Sequence, residues 1–151
     1  MGTLTAFNTK LKQAGLIALD TVIFIYAFER HPQYGPYAQA VFHALETGVC
    51  QGCASVLALG EILTGVKKTG NRDLLLHYRD VLTRFPGLTL MDADVKVMET
   101  MADLRVRYTV STPDAIHLAT ALVGGARAFV TNDLRLRQVE KPDIIVLADW
   151  E

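Results

Sequence analysis

Five short apolar runs, alternating with helix-length segments, constrain this chain more than any other feature. They are Leu16 to Leu19, Val49 to Ala54, Leu88 to Met91, Arg127 to Thr131 and Ile144 to Leu147. The first is continuous rather than alternating, the pattern of a strand covered on both faces. Helix signals fill the gaps. Thr3 to Gln13 is weakly amphipathic and stops at Gly15, Val22 to Phe28 follows the first strand, and Tyr37 to Thr47 ends at Gly48 after a loop punctuated by Pro32, Gly35 and Pro36. Ser55 is placed to cap a helix to about Lys68. Asn71 to Phe85 closes at Pro86-Gly87, and Asp92 is placed to cap a helix to Tyr108. Strands alternating with helices predict a parallel sheet with helices on both faces.

The last helix, Pro113 to Val123, carries the first chemical signal. Thr112 or Ser111 suits its N-cap, and Pro113 suits the first turn, where its missing N–H costs nothing. Asp114 falls where the positive end of the helix dipole favours a carboxylate. Beyond it, Ala115, Ile116, Leu118, Ala119, Leu122 and Val123 cover nearly the whole circumference, so this helix is expected to be buried with its acid at the mouth of a pocket.

In sheets of this kind, sites gather at the carboxyl ends of the strands. Asp20 ends the first apolar run, and Asp133 follows the fourth. Glu61 shares a helix face with Leu57, Ala58, Thr64 and Gly65, where an acid is expensive unless something compensates it. If Asp20, Glu61, Asp114 and Asp133 converge, the pocket needs protons or a cation, because two carboxylates about 4 Å apart repel by roughly 4 kcal/mol at an effective dielectric near 20. Oxygen-only donors select hard ions, and Mg²⁺ or Mn²⁺ suits a few carboxylates with waters. Such a site could align a phosphodiester and activate a water for in-line attack. Spacing makes the convergence plausible without proving it.

These motifs resemble the PIN-domain ribonucleases, most of all the VapC-type toxins of toxin–antitoxin pairs. The matching stretches are Leu19-Asp20-Thr21, Ser55 to Gly65 around Glu61, Thr112 to Ala121 around Asp114, and Val130-Thr131-Asn132-Asp133. They come in the family's order and span residues 16 to 148. The resemblance implies a three-layer α/β/α fold with a central five-stranded parallel sheet, and Mg²⁺- or Mn²⁺-dependent endonucleolytic cleavage of RNA. Asp20, Glu61, Asp114 and Asp133 would be the catalytic, metal-holding acids. Thr21, Thr131 and Asn132 would orient them or the substrate. His117, one turn after Asp114, could touch substrate or carry a proton, though a packed, hydrogen-bonded role is the simpler one. The resemblance further implies a homodimer and a cognate antitoxin that blocks the site. One departure is the leader, residues 1–15, ahead of the core at 16–148; no role is assigned to it.

Composition agrees with one globular domain of 151 residues, with 50% hydrophobic and 21% charged side chains. A net charge of −1 argues against adhesion to nucleic acid by bulk charge alone, but leaves room for a local basic rim. Lys67, Lys68, Arg72, Arg135 and Arg137 are candidates for phosphate contact, with a solvated face as the plain alternative. No aromatic residues interleave with these charges, so no base-stacking platform is expected. Asp92, Asp94, Glu99 and Asp103 suit caps and solvent faces. Cys50 and Cys53 could be a redox pair before a helix, but buried strand thiols are expected instead. No apolar run spans a membrane and the N-terminus has no signal-peptide pattern, so the cytoplasm is the expected location. A mean hydropathy of +0.23 suits a partner-covered surface.

Two rivals stand beside the nuclease. A haloacid-dehalogenase-type phosphatase also places an acid after its first strand, but needs a second acid two residues on, where Val22 stands. A catalytically silent PIN-like module binding RNA or protein would have little reason to hold four mutually repelling carboxylates.

Overall fold

The structure, a computed structural model, describes residues 3–150; the expected domain limits at 1 and 151 lie outside the described residues. Five parallel strands form one sheet: β1 (Leu16–Leu19), β2 (Gln51–Ser55), β3 (Leu88–Met91), β4 (Ala128–Thr131) and β5 (Asp143–Val146), in the order β3-β2-β1-β4-β5. Ile17 pairs with Gly52 on one side and Ala128 on the other, which makes β1 the central strand.

The continuous apolar strands are explained by two cores, one on each face of the sheet. Ile17 and Leu19 of β1 and Ala128 and Val130 of β4 point into the first. Ala18 and Phe129, the residues between them, point into the second. Helices α1 (Leu4–Ala14), α2 (Thr21–Phe28), α3 (Gly35–Glu46), α4 (Val56–Thr69) and α5 (Arg72–Arg84) supply side chains to the first core. Helices α6 (Val95–Arg107) and α7 (Thr112–Val123) supply the second. Strands β1 and β4 therefore need apolar residues on both sides of the pleat.

Local chemistry shifted some boundaries from those expected. Asp94, not Asp92, caps α6: its carboxylate accepts from the Val97 N–H at 2.9 Å. Ser111 caps α7 through the Asp114 N–H, so Thr112 is the first helical residue. Helix α3 begins at Gly35, inside the expected loop, because Pro36 suits a first turn as well as a loop. Val49 lies in a turn after α3, its N–H bonded to the Ala44 carbonyl, so β2 starts only at Gln51. Gly87, at φ +76°, is required in the turn into β3: a Cβ there would stand 2.5 Å from the Leu45 carbonyl oxygen.

The leader is part of the fold. Phe7 and Leu11 of α1 are fully buried, and Phe7 packs edge-on against Tyr37 and Trp150 with ring centres 5.3 and 5.9 Å away. Lys10 pairs with Asp143 at 2.7 Å, tying α1 to the edge strand β5.

Candidate active site

The sheet order reverses direction between β1 and β4, and their carboxyl ends open a crevice there. Asp20 leaves β1 into that crevice as the N-cap of α2. One carboxylate oxygen accepts the Thr21 N–H at 2.8 Å, and the other accepts the Thr131 hydroxyl at 2.7 Å. Thr131 is fully buried at the end of β4, and its oxygen also accepts the Asp133 N–H at 3.1 Å. Burial pushes the Asp20 carboxyl up from its ordinary value; the Thr131 bond, the field of His117 and the Thr21 N–H pull it down, and Asp114 pushes it up again. Asp114 is therefore close enough to Asp20 for the two to repel.

Glu61 and His117 meet over the junction of α4 and α7. Glu61 Oε1 accepts the Thr21 hydroxyl at 2.7 Å and lies 2.8 Å from His117 Nε2. The same ring nitrogen is 3.2 Å from Thr21 Oγ1. His117 is 3% exposed, and its Nδ1 is buried without a partner, so the ring's polar attachment runs through Nε2 alone. Glu61 itself is 39% exposed at its side chain. The compensation that an acid among small and apolar neighbours needs comes from these two partners and from the exposure of its side chain.

Asp133 caps the short 3-10 helix Leu134–Gln138. Its carboxylate accepts from the Arg135 backbone N–H at 3.0 Å and twice from the side chain, Nε to Oδ1 at 3.0 Å and Nη2 to Oδ2 at 2.7 Å. Arg135 holds the carboxyl below the usual carboxylate range, against a smaller opposing effect of burial. Asp133 nonetheless lines one recess with Asp20, Val22, Tyr26, Asn132 and Leu134. Asn132 is held within the wall of that recess: its amide donates to the Tyr26 hydroxyl at 3.1 Å and its oxygen accepts the Ala148 N–H at 2.9 Å.

The fold thus gathers Asp20, Thr21, Glu61, Asp114, His117, Thr131 and Asp133 at one edge of the sheet. The carboxylates do not form a ready-made cage. Among the described residues, no three His, Cys, Asp or Glu side chains stand close enough together to hold a metal ion as placed. Glu61 and Asp133 are each turned onto a protein partner instead. The donor set remains all-oxygen, and Asp20 and Asp114 repel each other, which is the chemistry a hard divalent cation relieves.

Of the expected phosphate contacts, Arg135 and Arg137 are committed to Asp133 and Asp149. Lys67 and Lys68 occupy the last turn of α4, where the helix dipole favours them. Cys50 and Cys53 are buried and free, and burial pushes the Cys53 thiol up to about 11, which leaves it inert as a redox group. Beside the acids, sequence reasoning missed an aromatic cluster. Tyr26, His31 and Tyr34 lie with ring centres 4.7 to 5.3 Å apart, brought together by the turn between α2 and α3. Their spacing of five and three residues across a Pro-containing loop carries no periodic signal.

Known structures of the same architecture were found by comparison. The VapBC2 complex of Rickettsia felis, bound to a promoter DNA fragment, is 19% identical with a TM-score of 0.66, covering 87% of this chain and 98% of that one. A toxin–antitoxin complex from Klebsiella pneumoniae is 20% identical with a TM-score of 0.67, covering 87% and 97%. FitAcB from Neisseria gonorrhoeae is 19% identical with a TM-score of 0.65, covering 87% and 98%. These likenesses show the fold. No curated protein sequence matches. The PIN domain family model matches residues 17–142, from within β1 to the residue before β5, and so takes in all four acids. The chain belongs to the PIN domain family.

Proposed function

We propose that this protein is a divalent-metal-dependent endoribonuclease and the toxin of a toxin–antitoxin pair. The observation that carries the reading is the join at Thr131, whose one hydroxyl binds Asp20 and receives the Asp133 N–H, fixing two acids from neighbouring strands at the switch point of the sheet. Asp20 and Asp114, with Glu61 and Asp133 once released from their partners, would hold Mg²⁺ or Mn²⁺. When bound, the ion supplies charge neutralisation and polarises the scissile phosphodiester for hydrolysis. Thr131 and the Thr21 N–H fix the Asp20 carboxylate. His117 and the Thr21 hydroxyl aim Glu61. Arg135, released when Asp133 turns inward, faces the phosphate backbone.

The partner assignment rests on neighbours of this fold that include a toxin–antitoxin complex and a member of the VapBC family of toxin–antitoxin systems. We extend that to a cognate antitoxin here, with a homodimer as the working assembly and the cytoplasm as the site of action. Residues 1–151 would form one domain. No helix among the described residues is long and apolar enough to cross a membrane.

The engaged state of Glu61 and Asp133 favours a second reading, a catalytically silent module that binds RNA or protein. A labelled structured RNA pool separates the two. The protein is stripped of divalent ions, then assayed alone, with Mg²⁺ or Mn²⁺ restored, and as Asp20→Asn. Cleavage that returns with the ion and is absent in Asp20→Asn supports the nuclease. RNA left intact under every condition supports the silent module.

A further inference from the structure

Tyr26 belongs to two neighbourhoods at once. It lines the recess that holds Asp20 and Asp133, and its hydroxyl is held by Asn132, the residue before Asp133. Its ring packs 4.7 Å from His31 and 5.3 Å from Tyr34. His31 and Tyr34 are themselves stacked, with centres 5.2 Å apart and planes inclined by 27°. His31 Nδ1 accepts the Gln33 and Tyr34 N–H groups, which fixes the ring. All three rings are only half-buried.

Arg30 adds the second observation. It is exposed and adopts φ +51°, the left-handed region, and no other non-glycine residue among those described has a positive φ. Glycine would take this conformation without strain. The arginine therefore adds only its guanidinium, which makes no ion pair among the described residues. Close approach locks the turn: a Cβ on Gly35 would stand 3.2 Å from the Arg30 carbonyl carbon. Arg30 and His31 line a second recess, and His31 packs against Tyr26, which lines the acidic one.

Half-exposed rings beside an unpaired guanidinium are the elements that bind single-stranded nucleic acid: bases stack on the rings and the cation meets the phosphates. We propose that Arg30, His31 and Tyr34, positioned through Tyr26 and Asn132, form the subsite for an unpaired nucleotide flanking the scissile bond. The inference rests on the ribonuclease reading and deepens it, since it names the side chains that hold the flanking nucleotide. The link runs from Asp133 through Asn132 to Tyr26 and then to the ring stack, so the subsite is tied rigidly to the site of chemistry.

The test uses Asp20→Asn as the parent, so that bound RNA is not cut. A fluorescein-labelled single-stranded RNA of mixed sequence and an abasic strand of equal length are titrated in Mg²⁺ buffer, with anisotropy as the readout. Arg30→Gly in this parent weakens binding to both strands severalfold, lowers the salt slope by about one and raises the melting temperature. Tyr34→Ala weakens binding to RNA about tenfold and leaves the abasic strand unchanged. Tyr34→Leu, which keeps apolar packing, gives the same selective loss if Tyr34→Ala fails to fold. RNA affinity equal to the parent in Arg30→Gly and Tyr34→Leu overturns the subsite and leaves these rings to a protein interface. Absence of RNA binding by the parent itself overturns the ribonuclease reading, and the subsite with it.

Discussion

Thr131 donates to Asp20 over 2.7 Å from a fully buried position, and among the described residues no other side-chain bond joins the central strand's acid to the neighbouring strand. Thr131→Val keeps the shape and removes the hydroxyl. It leaves one oxygen of Asp20 and the Asp133 N–H without partners, a loss of about 2 kcal/mol for buried groups of this kind. Chemical denaturation should show a lower midpoint with an unchanged slope.

Asp20→Asn should stabilise the protein while abolishing cleavage. Burial raises the Asp20 carboxyl in the folded state, so this group supports stability below its unfolded value and loses that contribution as pH rises through the raised value. Asparagine carries no charge to bury, and its amide can donate to Thr131. The expected gain at neutral pH is about 1 kcal/mol, or about 3 °C in a domain of this size. Melting curves from pH 4 to 8 should show the gain growing with pH; a constant gap would place the carboxylate's cost elsewhere.

Arg135 competes with any cation for Asp133. Arg135→Gln should raise Mn²⁺ affinity severalfold and reduce the salt slope of RNA binding by about one. The lowered Asp133 carboxyl contributes stability above the ordinary carboxylate range and loses it as pH falls through the lowered value. The small deficit of Arg135→Gln at neutral pH should therefore vanish in acid.

Phe7 tests whether the leader is integral to the domain. The family match starts at residue 17, beyond α1, yet Phe7 is fully buried between Tyr37 and Trp150. Phe7→Ala should cost about 3–5 kcal/mol, the range for emptying an aromatic site in a core. A loss below about 1 kcal/mol would mean α1 docks loosely.

What could be read from the sequence follows from where the physics is local. Leu16 to Leu19 announced a strand because both of its faces are buried, and Asp20 stood out because a strand end and a helix cap coincide there. Asp114 was legible for the same reason, in the first turn of an apolar helix. Glu61 was found on its face, but its exposure depended on how α4 tilts over α7, which no spacing encodes. The Arg135–Asp133 pair arises from a 3-10 turn too short to leave a periodic pattern. Asn132 was expected to orient the acids or the substrate, and the partners that hold it, Tyr26 and Ala148, come from distant parts of the chain. Tyr26, His31 and Tyr34 likewise meet only because Arg30 turns the chain back on itself.

Calorimetric titration of the metal-stripped protein with MnCl₂, compared with Asp20→Asn and Asp114→Asn, reads ion binding at the acids themselves. The account predicts binding by the wild type and at least about tenfold weaker binding by each variant, since each removes one of the two mutually repelling carboxylates. Binding of equal strength in all three would place the ion elsewhere. A wild type that takes up no Mn²⁺ would contradict the metal-dependent mechanism outright.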